Sequence, residues 1–212
     1  MPALQTESAT EKILISAEQT FSELGFDAAG MKTIAGNAGV SQSLLHYHFN
    51  NKEHLYAEVV RRRADIVNAQ RRRLLSKVEF QSTSALEQVI DAFIQPPIGA
   101  AGGGKAYKQI FFAALIVRSA RDSDLIRECY DEIAYEFIDA IRKAAPEIDR
   151  ESAALAYSFA LGSLVNIIRS DGRVERLCGR RKYSSQERST KVSRSIVTYI
   201  AGGIRALATL EA

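Results

Sequence analysis

Apolar residues along this chain recur at spacings of three and four, the period of a helix with one buried side. No alternation of period two persists anywhere, so the pattern predicts an all-α chain of about nine helices. Ser8 to Glu11 form a capping box ahead of Ile13, Leu14, Ala17, Phe21 and Leu24, and Gly25 is expected to end that helix. Met31, Ile34, Ala35 and Ala38 mark a short second helix. Gly39 then supplies a residue that tolerates positive φ, and Ser41 a cap for a third helix. Val40 plugs the angle between the two, and Leu45 and Phe49 continue the buried side. Asn50 or Asn51 caps a long fourth helix to about Lys77, with Leu55, Val59, Ile66 and Leu74 inward.

The second half repeats the pattern on a larger scale. A capping box at Ser84 to Glu87 opens a helix with Val89, Ile90 and Phe93 inward, expected to stop at Pro96 and Pro97. The glycine-rich stretch to Gly104 reads as a flexible loop. Helix resumes near Lys105, with Ile110, Phe111, Ala114 and Leu115 inward, and breaks around Asp122. Another carries Leu125, Tyr130, Ile133, Phe137 and Ile141 and ends before Pro146. Asp149 caps a helix apolar nearly all round from Ala153 to Ile168. A basic connector from Asp171 to Tyr183 leads to a third capping box at Ser184 to Glu187, and a last helix reaches about Leu207.

Two short helices joined by a tight turn form a helix-turn-helix, whose second helix enters the DNA major groove. Gln42, Ser43, Leu44 and His46 occupy its first turn and a half, where side chains reach base edges. Gln42 suits adenine and Leu44 a thymine methyl, while Tyr47, His48 and Lys52 are better placed for phosphates. The alternative for Tyr47 is core packing with Phe49. Up to Asn50 the basic side chains are Lys12 and Lys32, against Glu7, Glu11, Glu18, Glu23 and Asp27. Binding therefore relies on specific contacts and helix ends more than on a basic field. Arg61–Arg63 and Arg71–Arg73 spread around the fourth helix, so a solvated face is the default for most of them.

Ile34, Ala35, Ala38, Gly39, Val40 and Ser41, followed by Tyr47, His48, Phe49, Lys52, Glu53 and Leu55, resemble the DNA-binding end of tetracycline-repressor-type (TetR family) regulators. The resemblance extends back through Ile13, Leu14, Ala17, Phe21, Gly25 and Phe26. It implies a DNA-binding set of Lys32, Thr33, Ser41, Gln42, Ser43, Leu44, His46, Tyr47, His48 and Lys52. Three positions depart from the family's habit. Gly30 stands where Thr or Ser is common, Leu44 where Thr is, and His46 where Tyr is frequent. The run from Asp171 to Gly179 resembles members that sense fatty acids or acyl thioesters.

With 212 residues the chain can bury a sizeable core, here divided as 1–50 for DNA binding and 51–212 for ligand binding and dimerisation. The net charge of +3 is only mildly basic. Cys129 and Cys178 lie far apart, which suits a reducing cytoplasm. The first residues are polar and acidic, unlike a signal peptide, and Ala153 to Ile168 is short for a membrane span. His46 and His48 are two apart and cannot share a metal on one helix face, and no nucleophile or phosphate-loop motif is recognisable. No metal, cofactor or enzymatic activity is expected.

Ala154, Ser158 and Gly162 fall four apart, as do Thr198, Gly202 and Ala206. Such stripes let helix backbones approach closely, either inside one subunit or, the reading favoured here, across a dimer. The resemblance implies the same, since TetR regulators usually dimerise through their last two long helices. Phe93, Phe111, Leu115, Arg118, Tyr130, Phe137 and Asn166 are the candidates for a ligand site, Asn166 because an amide in an apolar helix needs a partner. The expectation is thus a homodimeric cytoplasmic regulator, a repressor of a palindromic operator released by a small apolar or amphipathic effector. A fatty acid, an acyl-CoA or an aromatic compound would fit. An α-helical enzyme and an architectural DNA-binding protein without a ligand are the alternatives.

Overall fold

The computed structural model describes residues 8–104, 110, 120–169, 172–179 and 185–211. Nine α-helices lie among the described residues: α1 Ala9–Ala28, α2 Met31–Ala38, α3 Gln42–Phe49, α4 Lys52–Leu75, α5 Ala85–Ile98, α6 Ala120–Ala144, α7 Arg150–Arg169, α8 Arg173–Leu177 and α9 Ser185–Glu211. A 3-10 turn, Ala100–Gly102, follows α5. There is no strand among the described residues.

The predicted caps form where the chain supplies its own acceptor. Ser8 Oγ accepts from the Glu11 N–H, Ser41 Oγ from Leu44 and Asn51 Oδ1 from His54. Asp149 Oδ1 accepts from the Ser152 N–H at 2.7 Å, opening α7. At Ser84 no side-chain cap forms, because its hydroxyl is engaged with Ser82 and Gln88.

Two apolar cores share the length of α4. The first gathers Ile13, Ala17 and Phe21 of α1, Ile34 of α2, Leu45 and Phe49 of α3, and Leu55, Tyr56, Val59 and Val60 of α4. The second joins Ala64 of α4 to Val89, Ile90 and Phe93 of α5, Ile133, Phe137 and Ile141 of α6, Ala156 and Leu164 of α7, and Ile200 and Ile204 of α9. At 24 residues α4 is about 36 Å long, enough to run from one core into the other.

Gly25 interrupts the first helix as expected: at φ 75°, ψ 172° it is non-helical, and only a short helical stretch to Ala28 follows across the kink. Several other expectations need correction. Leu24 and Ile66 are exposed, and the inner side of α4 beyond Val60 is Ala64, Val67, Asn68 and Arg71. Asp122 is helical and buried near the described start of α6, while the end of the preceding helix, expected around it, lies outside the described residues. The basic connector contains the short helix α8. The helix expected from Lys105 and the cap at Ser184 lie outside the described residues.

At Pro96 and Pro97 the expected stop holds to within a residue: both prolines lie in the last turn of α5, which ends at Ile98. Prolines lack the N–H that would return to the carbonyl four residues back, so Phe93 O loses its helical donor. Arg71 Nε supplies one at 3.2 Å, from a side chain that is 2% exposed. Its guanidinium also lies 4.4 Å from the centre of the Phe93 ring. A residue expected at the solvated face is thus buried, supplying a donor to the C-terminal part of α5.

Candidate nucleic-acid interface

The turn between α2 and α3 is built by Gly39 at φ 66°, ψ 32°. The Val40 N–H reaches back to Ala35 O at 3.0 Å, closing the end of α2 in a Schellman-type cap. Ser16 Oγ donates to Ile34 O at 2.8 Å and ties α2 to α1 from inside. With Leu45 and Phe49 turned into the core, the opposite side of α3 is left to solvent.

That side carries the residues expected to meet DNA. Gln42, Ser43, Leu44, His46, Tyr47 and His48 are all exposed, as are Lys32, Thr33 and Ser41. Tyr47 is 83% exposed, which overturns core packing with Phe49 as its role. It stands edge-on to His48, ring centres 5.3 Å apart, and His48 Nδ1 lies 3.5 Å from Thr10 Oγ1 at the start of α1. Lys52 differs from the others in being half-buried. Its ammonium donates to Asp27 O at 3.1 Å and sits 4.6 Å from the centre of the Phe26 ring. It pins the end of α1 to the start of α4.

Gly30 caps α2 without a side-chain bond. Its φ of −99° suits any L residue, and an added Cβ would meet only Thr33 Oγ1 at 3.6 Å. Gly30→Ser should therefore stabilise the fold by about 0.5–1 kcal/mol, through the new cap and a less flexible unfolded chain. A thermal melt checks this, and a lower midpoint would contradict it.

The arginine triplets bind neighbouring helices more than solvent, because α4 is flanked by α1, α5 and α6. Arg61 makes a two-pronged contact with Glu128 at 2.6 and 2.9 Å, which holds the Glu128 carboxyl below its usual range. Arg72 joins Glu132 and Glu136. Arg62 pairs with Glu11 and Glu18. Arg63 holds both oxygens of Glu18, at 3.0 and 2.9 Å, and reaches Ala101 O in the glycine-rich turn. That turn is seated rather than loose: a Cβ on Gly102 would fall 1.9 Å from Pro97 O, and one on Gly103 2.6 Å from the Arg63 guanidinium carbon.

Among the proposed ligand residues, Phe93, Tyr130 and Phe137 are buried core, the Phe93 and Phe137 rings 5.3 Å apart. Phe111, Leu115 and Arg118 lie outside the described residues. Asn166 is not brought to this cluster. It is exposed on the far side of α7, so the premise that it needs a buried partner within the subunit fails. It lines an open trough of about 1580 Å³ between α7 and α9, with Ser158, Gly162, Thr198 and Gly202. In this subunit nothing comes within 4 Å of a Cβ built on Gly162 or Gly202, which excludes close packing inside the subunit at those two glycines. Among the described residues no group of three or more His, Cys, Asp or Glu could hold a metal ion. By length and composition α7 could cross a membrane, yet it buries Ala153, Ala156, Ala160 and Leu164 in the second core.

Comparison with known proteins decides the family. Residues 13–59 match the bacterial regulatory proteins of the tetR family, and residues 91–203 match the tetracyclin repressor-like C-terminal domain. The chain belongs to the TetR family. The chain is 36% identical over 83 residues to the HTH-type transcriptional activator FasR of Mycolicibacterium smegmatis, covering 39% of this chain and 37% of FasR. It is 45% identical over 60 residues to the HTH-type transcriptional regulator RutR of Escherichia coli K12, covering 28% of each. The matches thus span 37% of FasR and 28% of RutR, well under half of either curated relative. The fold extends much further. PfmR of Thermus thermophilus, a TetR family transcriptional regulator, superposes with a TM-score of 0.68 at 18% identity, over 92% of this chain and 97% of that one. FadR of Bacillus subtilis, solved in complex with stearoyl-CoA, superposes at 0.64 with 16% identity, over 88% and 96%.

Proposed function

We propose that this TetR-family protein is a homodimeric repressor that binds a palindromic operator and releases it when a small apolar or amphipathic effector binds the larger domain. The observation that carries the reading is the exposed side of α3. Six neighbouring polar or amphipathic residues, Ser41 to Ser43 and His46 to His48, stand exposed together with Leu44 on a head whose core is otherwise closed. Dimerisation is proposed through α7 and α9. Its support is the trough between them, lined by Ser158, Gly162, Thr198 and Gly202, where Phe159 is 62% and Tyr199 73% exposed; Ala154 packs instead against the subunit's own core, and Ala206 is exposed beyond the trough's lining. Large exposed apolar surfaces of this kind mark contact sites. Asn166 shares that trough and is proposed to bond across the dimer.

The effector class is proposed from the apolar core of the larger domain, which holds Phe93, Tyr130 and Phe137, and from FadR's stearoyl-CoA. A fatty acid, its CoA thioester or an aromatic compound is the class in view. An effector acts only through unequal affinity for two states. Here the two states differ in the tilt of α4, which carries the α3 helices of the dimer toward or away from successive major grooves, about 34 Å apart.

Selection of bound fragments from random DNA by the purified protein tests the reading. An inverted repeat is expected, its half-sites about one helical turn apart, and long-chain acyl-CoA should release it. Gln42→Ala should relax sequence preference, whereas Lys52→Ala should weaken all sequences alike and lower the salt slope. Absence of any enriched sequence would remove DNA reading from the protein's function.

A further inference from the structure

Asn50, at the end of α3, adopts φ 56°, ψ −64°, the one positive φ at a non-glycine residue among those described. Such backbone is sparsely populated and persists only where the surroundings hold it. Here it turns the chain so that residues 46 and 50 bond twice. The Asn50 N–H donates to His46 O at 2.8 Å, and Asn50 O lies 2.8 Å from His46 Nδ1. A carbonyl oxygen can only accept, so the proton of the neutral ring must reside on Nδ1. The other ring nitrogen, Nε2, is then bare and acts as an acceptor. Gln42, one turn earlier on the same side, agrees: its amide nitrogen, a donor, is 3.5 Å from His46 Nε2.

We propose that His46 is a specificity-determining residue that reads as a hydrogen-bond acceptor, its polarity set by the Asn50 carbonyl. The proposal rests on the DNA-binding reading above and names what that site selects. In the major groove the donors offered by bases are the exocyclic amines, N6 of adenine and N4 of cytosine, whereas guanine presents the acceptors N7 and O6. His46 therefore favours an amine-bearing base and disfavours guanine at the position it meets. The 3.5 Å contact from Gln42 is long, and that amide turns aside when the single Nε2 lone pair accepts from a base. The Asn50 bond is made by backbone, so no side-chain change at residue 50 removes the acceptor directly.

Two measurements test this on the full chain. Nitrogen NMR of protein labelled at histidine, at mildly alkaline pH, separates protonated from bare ring nitrogens, and His46→Gln identifies the signals. A protonated Nδ1 and a bare Nε2 are expected; the opposite tautomer overturns the proposal. With an operator selected from random DNA, the adenine or cytosine at the His46 position is replaced by purine or 2-pyrimidinone, which lack the amine. The parent should lose roughly fivefold in affinity, the worth of one hydrogen bond, and His46→Ala should lose nothing further. His46→Arg should move the preference to guanine. A parent protein that already selects guanine there also overturns the proposal. If no sequence is selected at all, the regulatory reading fails, while the ring spectrum still reports which nitrogen carries the proton.

Discussion

Gly202→Leu should leave each subunit folded, abolish the dimer and lower operator affinity by about 10²- to 10⁴-fold, the range that linking two binding heads confers. The subunit itself has no reason to resist the change. Gly202 lies in the middle of α9, where nothing stands within 4 Å of an added Cβ, and glycine in a helix interior is worse than leucine by about 0.5–1 kcal/mol. The midpoint of thermal unfolding of the monomer should therefore hold or rise. Only a second chain, laid close against the small-residue stripe, would be driven off by the larger side chain. Gly162→Leu on α7 should behave alike, for the same open surroundings. Light scattering and titration of the selected operator measure both effects. A dimer of unchanged affinity in both variants would mean that the partner docks elsewhere on the molecule.

The DNA-binding head was legible in the sequence because its signals are local. A capping serine at 41, a glycine at 39 able to take positive φ and an apolar period across residues 31–49 each act within a turn of themselves, and the structure has all three. Where tertiary contact supplies the missing partner, local reading fails. The prolines at 96 and 97 do end α5 to within a residue, but the sequence has no sign that Arg71 of α4 would be buried to bond the Phe93 carbonyl they leave without a donor. Ile66 fitted an apolar period but faces solvent, whereas Asn68 is buried with its amide donating to Cys129 O at 2.8 Å. Asn166 looked like a buried amide because its helix is apolar on nearly every side. A helix that faces a core on one side and an open trough on the other reads the same way. For His46 the sequence marked the residue and its side of the helix, but the backbone turn at Asn50 that sets its polarity has no signature in residue type.

Arg63→Ala should destabilise the protein by about 2–4 kcal/mol, since removing one partner of a buried ion pair strands the other. The stranded group is Glu18, whose side chain is 8% exposed, against 15% for Arg63. Arg62 Nη1, at 3.7 Å, offsets part of the loss but is too distant to replace two bonds of 2.9 and 3.0 Å. For a chain of this length the unfolding midpoint should fall by roughly 5–15 °C. The double variant Glu18→Gln, Arg63→Met removes both charges and should recover much of that, since apolar replacement of a buried pair is often neutral. It also separates stability from signalling. Arg63 is the side chain that touches α1 through Glu18 and the glycine-rich turn through Ala101 O and Gly103. It thus joins the head to the segment leading into the effector domain. The double variant should fold and bind operator yet release it poorly when acyl-CoA is added. A parent-like melt for Arg63→Ala would show that Glu18 is held by other means. A double variant that releases operator as readily as the parent would leave Arg63 a purely structural role.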